Sequence, residues 1–263
     1  MTQRASRRAV MGVVWGAVVS VLLLAGCASG AGGSASAADT QRRVDARLAL
    51  ANAYYVDGKY EVALHEVDNV LQLAPRHADA LGLRGVAQWQ LGEPERALES
   101  LQRALRADPD SPALQNNLGW MMCESGKPEQ GLIYLDRALA QRRYASPANA
   151  AMNAGQCCLR QGDRTRAESY FRRALAFEPA LVPAQAQLAR LAVERGDYVA
   201  ARAPMLAVLG SGKASADDYA IAVRIERQLG DRYAEQSLIS QWQRRFPDSP
   251  QLRVYQRGST DEQ

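Results

Sequence analysis

The sequence predicts an all-α protein, a right-handed solenoid of about six stacked helix-turn-helix units. Three observations predict it. Gly58, Gly92, Gly126, Gly162, Gly196 and Gly230 recur at spacings of 34, 34, 36, 34 and 34 residues. Small residues and prolines repeat in phase with those glycines. The stretches before each glycine also keep the i, i+3, i+4, i+7 spacing of one helix face, as in Arg47, Leu50, Ala51, Tyr54 and in Leu81, Arg84, Gly85, Gln88.

Composition narrows the function classes. The 263 residues carry 32 Lys+Arg against 28 Asp+Glu, a net charge of +4. Arg4, Arg7 and Arg8 lie in a leader without acids, residues 1–26, and removing them leaves 29 cations against 28 acids. A nearly neutral body is not built for nucleic acid. Hydrophobic content of 47% and charge of 23% fit a soluble folded chain. With only His65, His77 and four cysteines, a zinc or histidine-based enzyme has little to work with. No nucleophile–base set, phosphate loop or metal cluster is legible. The expectation is a non-enzymatic protein with no cofactor, metal, nucleic acid or small-molecule substrate.

Taken in order, residues 1–8 are basic and residues 9–26 are uncharged and apolar, ending in small residues. This is the pattern of a secretory signal, residues 1–26. Leu24-Ala25-Gly26-Cys27 resembles a bacterial lipobox, which implies that Cys27 takes a lipid and becomes the mature N-terminus. Ala28 follows the cysteine where an acid would retain the protein at the inner membrane, so the resemblance implies an outer-membrane anchor facing the periplasm. Residues 28–41 are mostly Gly, Ala and Ser and read as a flexible tether reaching ~20 Å.

The repeat domain is expected over 42–250, with units at about 44–77, 78–111, 112–147, 148–181, 182–215 and 216–249. Each mark has a mechanical reason. Glycine suits the left-handed conformation that ends a helix. Pro75, Pro109, Pro179 and Pro247 stop second helices. Ala51, Gly85, Gly119, Gly155 and Ala189, facing Ala63, Ala97, Ala167 and Ala201, let paired helices approach closely. Leu64, Leu101, Leu135 and Phe171 fill the layer between. Departures fall in the third unit, with Gly131 for alanine and two extra residues near Tyr144–Pro147. The fifth has Pro204 where it should kink or break the second helix, at ~3 kcal/mol. Val223 and Glu235 replace small residues in the sixth, as in a terminal cap. Residues 251–263 are left as a tail, begun by a short helical extension. The pattern resembles the tetratricopeptide repeat over 206 of the 263 residues.

Such repeats carry a ligand stripe on their first helices. Here it holds Leu48, Asn52, Tyr55, Val86, Trp89, Asn116, Trp120, Met152 and Leu159, then turns basic at Arg190, Arg224 and Arg227. Tryptophan and tyrosine anchors suit capture of an apolar peptide, with arginines for its acidic groups. The alternative is that these rings pack against the adjacent repeat. Cys123 and Cys158 sit at matching heights on adjacent first helices and form a candidate disulfide, with buried free thiols as the alternative.

Three blocks, Leu114–Gly126, Tyr144–Gly162 and Arg245–Pro250, together with Cys123 and Cys158, resemble the PilF/PilW type IV pilus biogenesis lipoproteins. That resemblance implies a pilotin, which binds secretin subunits and promotes their outer-membrane placement and assembly. An adaptor of the same repeat type, serving barrel assembly or cell-wall hydrolases, is the competing expectation.

Overall fold

The structure is a computed structural model and describes residues 28–261. Cys27 and the signal sequence lie outside the described residues. Among those described there are thirteen helices and no strand. They are α1 (Ala28–Val56), α2 (Tyr60–Leu73), α3 (Ala78–Gln90), α4 (Pro94–Ala107), α5 (Pro112–Glu124), α6 (Pro128–Ala140) and α7 (Pro147–Arg160). Next come α8 (Arg164–Phe177), α9 (Val182–Glu194), α10 (Tyr198–Gly210), α11 (Ala216–Leu229), α12 (Arg232–Arg245) and α13 (Pro250–Asp261). Odd-numbered helices α1 to α11 are first helices of the six repeats and even-numbered α2 to α12 are second helices. No helix among the described residues is long and apolar enough to cross a membrane.

The turn inside each repeat follows one chemistry. All six periodic glycines hold φ between +74° and +79°, where a side chain would be strained. Apart from α2, which follows Lys59 with no side-chain cap, the second helix then starts in one of two ways. Asp163, Asp197 and Asp231 accept a hydrogen bond from the backbone N–H three residues on, whereas Pro94 and Pro128 occupy the first turn of α4 and α6. The sixth repeat's first helix has a full capping box between Ser215 and Asp218.

The chain divides into two compact units at Gly92/Glu93. In the first, α1 to α3 close over Val44, Ala51, Val67, Val70, Ala80 and Leu83. In the second, one cluster centres on Leu135, Ala154, Cys158 and Phe171, and another on Met205, Ile225, Trp242 and Leu252. The predicted small residues are buried at the helix contacts, and the closest approaches use glycine. A Cβ on Gly119 would stand 2.7 Å from the Gly131 carbonyl oxygen, and one on Gly155 would stand 2.5 Å from the Phe171 ring.

Three departures from expectation have physical causes. The expected tether, residues 28–41, is helical, because α1 begins at Ala28. None of residues 36–43 is buried, and Val44 is the first core residue. The helix anchored at Val44 extends upstream, each added residue costing little once a turn exists. Pro204 does not break α10, which runs unbroken from Tyr198 to Gly210. Burial of Ala201, Met205 and Val208 on its inner face holds the helix, and only the Ala200 carbonyl loses its donor. The missing proline of this repeat is replaced by Gly212 at φ +74°. Finally, α13 is part of the packed body. Leu252 is buried, and Tyr255 lies 5.7 Å from the Trp242 ring.

Candidate peptide-binding surface

The residues expected on the first-helix stripe differ in their exposure. In the first unit Leu48, Tyr55 and Val86 are half-buried and pack onto the core of α1 to α3. Asn52 is exposed, and its amide donates to the Leu48 carbonyl at 3.0 Å. The Tyr55 ring leans on Tyr60 at 5.5 Å, and Trp89 is half-buried. Both rings are partly exposed.

In the second unit Trp120 and Leu159 are likewise half-buried. Asn116 and Met152 are not surface residues. Asn116 is buried and accepts from the Asn153 amide at 3.0 Å, joining α5 to α7. Met152 lies in the core cluster of α6 to α8. Successive first helices press together along these positions, and a side chain there fills the seam instead of facing solvent.

The arginine end of the stripe is also corrected. Arg190 donates to Asp218 at 2.8 Å. Arg227 donates to Glu235 and to the Tyr255 hydroxyl, each at 2.7 Å. Arg224 is exposed, 3.5 Å from the Tyr198 hydroxyl. Arg190 ties α9 to α11, and Arg227 ties α11 to α12 and α13. Nor does any stripe residue appear among the large exposed apolar side chains, most of which sit on second helices: Val62, Ile133, Phe177, Val199, Leu206 and Tyr233.

The disulfide pairs different residues from those expected. Cys123 bridges Cys157, with Cα atoms 5.5 Å apart, and Cys158 is a buried free thiol. Consecutive helix residues point about 100° apart, so only one of the neighbouring cysteines can face α5. Equivalent heights on two first helices do not identify the contacting pair. The separation of Cys123 and Cys157 is 34 residues, two short of the 36-residue glycine spacing of this unit, so repeat equivalence does not single out the pair. Cys158 turns toward α8, and burial pushes its thiol up to about 11. Beside it the Tyr170 hydroxyl donates to both oxygens of Asp136, at 2.9 and 3.0 Å. Burial, then this carboxylate, push the phenol up to about 12.

What this surface can do is bind by apolar edges. Among the described residues no group of three His, Cys, Asp or Glu side chains could hold a metal.

Comparison with known proteins agrees with the architecture. Tetratricopeptide repeat models match residues 48–112 and 110–180. The crystal structure of PilW, described as a widely conserved type IV pilus biogenesis factor, superposes with a TM-score of 0.70 at 30% identity, covering 81% of this chain and 97% of that one. Pseudomonas aeruginosa PilF superposes with a TM-score of 0.75 at 24% identity, covering 84% and 99%. The type IV pilus assembly protein PilF of the same organism aligns over 212 residues at 24% identity, covering 81% of this chain and 84% of that protein. With 30% identity across 97% of the PilW chain and repeat models matched over residues 48–112 and 110–180, the chain belongs to the PilF/PilW family of tetratricopeptide-repeat proteins of type IV pilus biogenesis.

Proposed function

We propose that this protein is a pilotin. It is a lipoprotein held at the periplasmic face of the outer membrane through Cys27, and it binds secretin subunits of the type IV pilus and promotes their localisation and assembly there. The observation that carries this reading is the match to PilW at 30% identity across 97% of that chain. Two features support it. The lipobox at Leu24–Cys27 provides an anchor, and lipid chains gain ~0.8 kcal/mol per buried methylene. The partly exposed Tyr55, Trp89 and Trp120 offer aromatic surface, the kind of anchor that dominates protein interfaces. Tethering and binding together raise the local concentration of captured subunits at the membrane.

The test is co-purification of the secretin with the intact chain from cell envelopes. Trp89→Ala and Trp120→Ala, separately and together, are expected to reduce secretin recovery at least tenfold while helix content by circular dichroism stays unchanged. Unchanged recovery from the double variant rejects the stripe as the binding surface. Cys27→Ser should release the protein from the membrane fraction; if it stays bound, the lipid anchor is wrong.

A further inference from the structure

Two arginines on second helices, Arg106 of α4 and Arg137 of α6, line an open pocket of about 360 Å³. Both are exposed. Among the described residues neither is paired with a carboxylate, and Arg137 lies over the Tyr134 ring, 5.5 Å from its centre. Gln102 and Tyr134 also line the pocket, and Leu105 and Leu118 give it an apolar wall.

The following helix pair shows what this arrangement accepts. The glycine spacings of 34 and 36 residues carry Gln102 to Asp136, Arg106 to Ala140, Tyr134 to Tyr170 and Arg137 to Arg173. There the Tyr170 hydroxyl donates to both oxygens of Asp136, and Arg173 donates to the Leu139 carbonyl. The pocket keeps the tyrosine and the arginine, has the neutral Gln102 in place of the carboxylate, and adds a second cation in Arg106. A carboxylate from outside restores the missing acceptor, and guanidinium forks match its geometry. Gln115, 5% exposed, sits in the same wall. Its amide donates to the Pro109 carbonyl at 2.8 Å, and its oxygen accepts no hydrogen bond. A ligand N–H can satisfy that acceptor after a small rotation of the side chain, and a bare anion cannot.

We infer that this pocket seats a carboxylate of a partner protein, an Asp or Glu side chain in a peptide segment with apolar neighbours. Arg106, Arg137 and the Tyr134 hydroxyl take the carboxylate, Leu105 and Leu118 take the apolar neighbours, and Gln115 takes a backbone N–H. The inference does not rest on the pilotin reading, because no stripe residue takes part.

The test titrates acetyl-Leu-Glu-Leu-amide into the intact chain in detergent, with its tyrosine rings labelled with carbon-13. The Tyr134 resonance is followed by NMR, with Tyr170 as internal reference. Tyr134 should shift to saturation and Tyr170 should not, and acetyl-Leu-Gln-Leu-amide should bind at least tenfold more weakly. Arg106→Gln combined with Arg137→Gln should weaken the Glu peptide at least tenfold. Gln102→Asp should do the same by filling the seat from within, as Asp136 does beside Tyr170. All three positions are exposed, so circular dichroism should show unchanged helix content. Equal binding of the two peptides, no shift at Tyr134, or binding unaffected by these substitutions overturns the proposal. A stronger response of Tyr134 to inorganic phosphate or to phosphatidylglycerol vesicles than to the Glu peptide also overturns it, because the pocket then serves a phosphate.

Discussion

At the scale of single residues, the neighbouring cysteines Cys157 and Cys158 have opposite roles. Cys157 closes a loop of 34 residues with Cys123, and restricting the unfolded chain over such a loop stabilises by roughly 3–4 kcal/mol at most. Cys157→Ser should therefore lower the melting temperature and abolish its dependence on reductant. Cys158→Ala should leave the reductant effect intact. Equal behaviour of the two variants in thermal melts would contradict the pairing. Cys158 also makes stability depend on alkaline pH. Its folded thiol titrates near 11 instead of the usual 9.0 because burial disfavours the thiolate. The unfolded chain then releases the proton first, so stability is intact below pH 9 and falls as pH rises toward 11. Cys158→Ala should flatten that decline in denaturant titrations between pH 8 and 11, and the native thiol should resist iodoacetamide at pH 8 until the chain is unfolded. The glycines at helix contacts act through space alone. A methyl group at Gly155 meets the fully buried Phe171 ring, while one at Gly119 meets a backbone carbonyl. Overpacking costs about 1–3 kcal/mol. Gly119→Ala is expected to cost the more of the two, since a carbonyl fixed in α6 cannot rotate aside. A larger loss for Gly155→Ala in urea melts would show that the ring is the more rigid obstacle.

At the scale of elements, the helix pairs were legible because their marks are local. A left-handed glycine, a proline stop or an aspartate cap acts within a few residues, and six copies in phase remove ambiguity. Less legible were features set by tertiary contact. Pro204 reads as a breaker from local sterics, but Ala201, Met205 and Val208 anchor α10 on both sides of it. The glycine- and serine-bearing start of α1 reads as a tether, but it is continuous with a turn fixed by Val44. Of the residues expected on the ligand stripe, Asn116 and Met152 are buried, which depends on how closely neighbouring first helices approach and is not encoded by spacing along one helix. The same holds for Arg190 and Arg227, whose partners Asp218, Glu235 and Tyr255 lie 28, 8 and 28 residues away. The start of α11 gives a direct check on the value of a local mark. Ser215 caps the N–H of Asp218 while Asp218 accepts from the N–H and hydroxyl of Ser215. Ser215→Ala should cost about 1 kcal/mol. Asp218 also receives Arg190, so the loss should be smaller in an Arg190→Ala background if cap and ion pair act as one unit, and additive if they do not. A double-mutant cycle on chemical melts distinguishes the two.

For the whole molecule, repeat packing makes stability a local property. Within each unit helices pack on their neighbours in sequence, so segments can open without unfolding the rest. In the second unit the strongest ties fall together on α5 to α8. The disulfide joins α5 to α7, the glycine approaches join α5 to α6 and α7 to α8, and Phe171 and Leu135 sit fully buried among them. At the other extreme the first turns of α1 through Arg43 bury no side chain from residue 36 onward. Their amides are held by a single helix in water, where isolated helical segments are marginal. Native-state hydrogen exchange should thus rank the backbone without reference to secondary structure, which is helical throughout. Residues 36–43 should exchange fastest, and the inward-facing turns of α5 to α8 slowest. Reduction of the disulfide should speed exchange in α5 to α8 much more than in α11 and α12, whose cluster around Trp242 and Leu252 contains no cysteine. Uniform acceleration along the second unit would mean that it opens as one cooperative block, and the nearest-neighbour account of its stability would then fail.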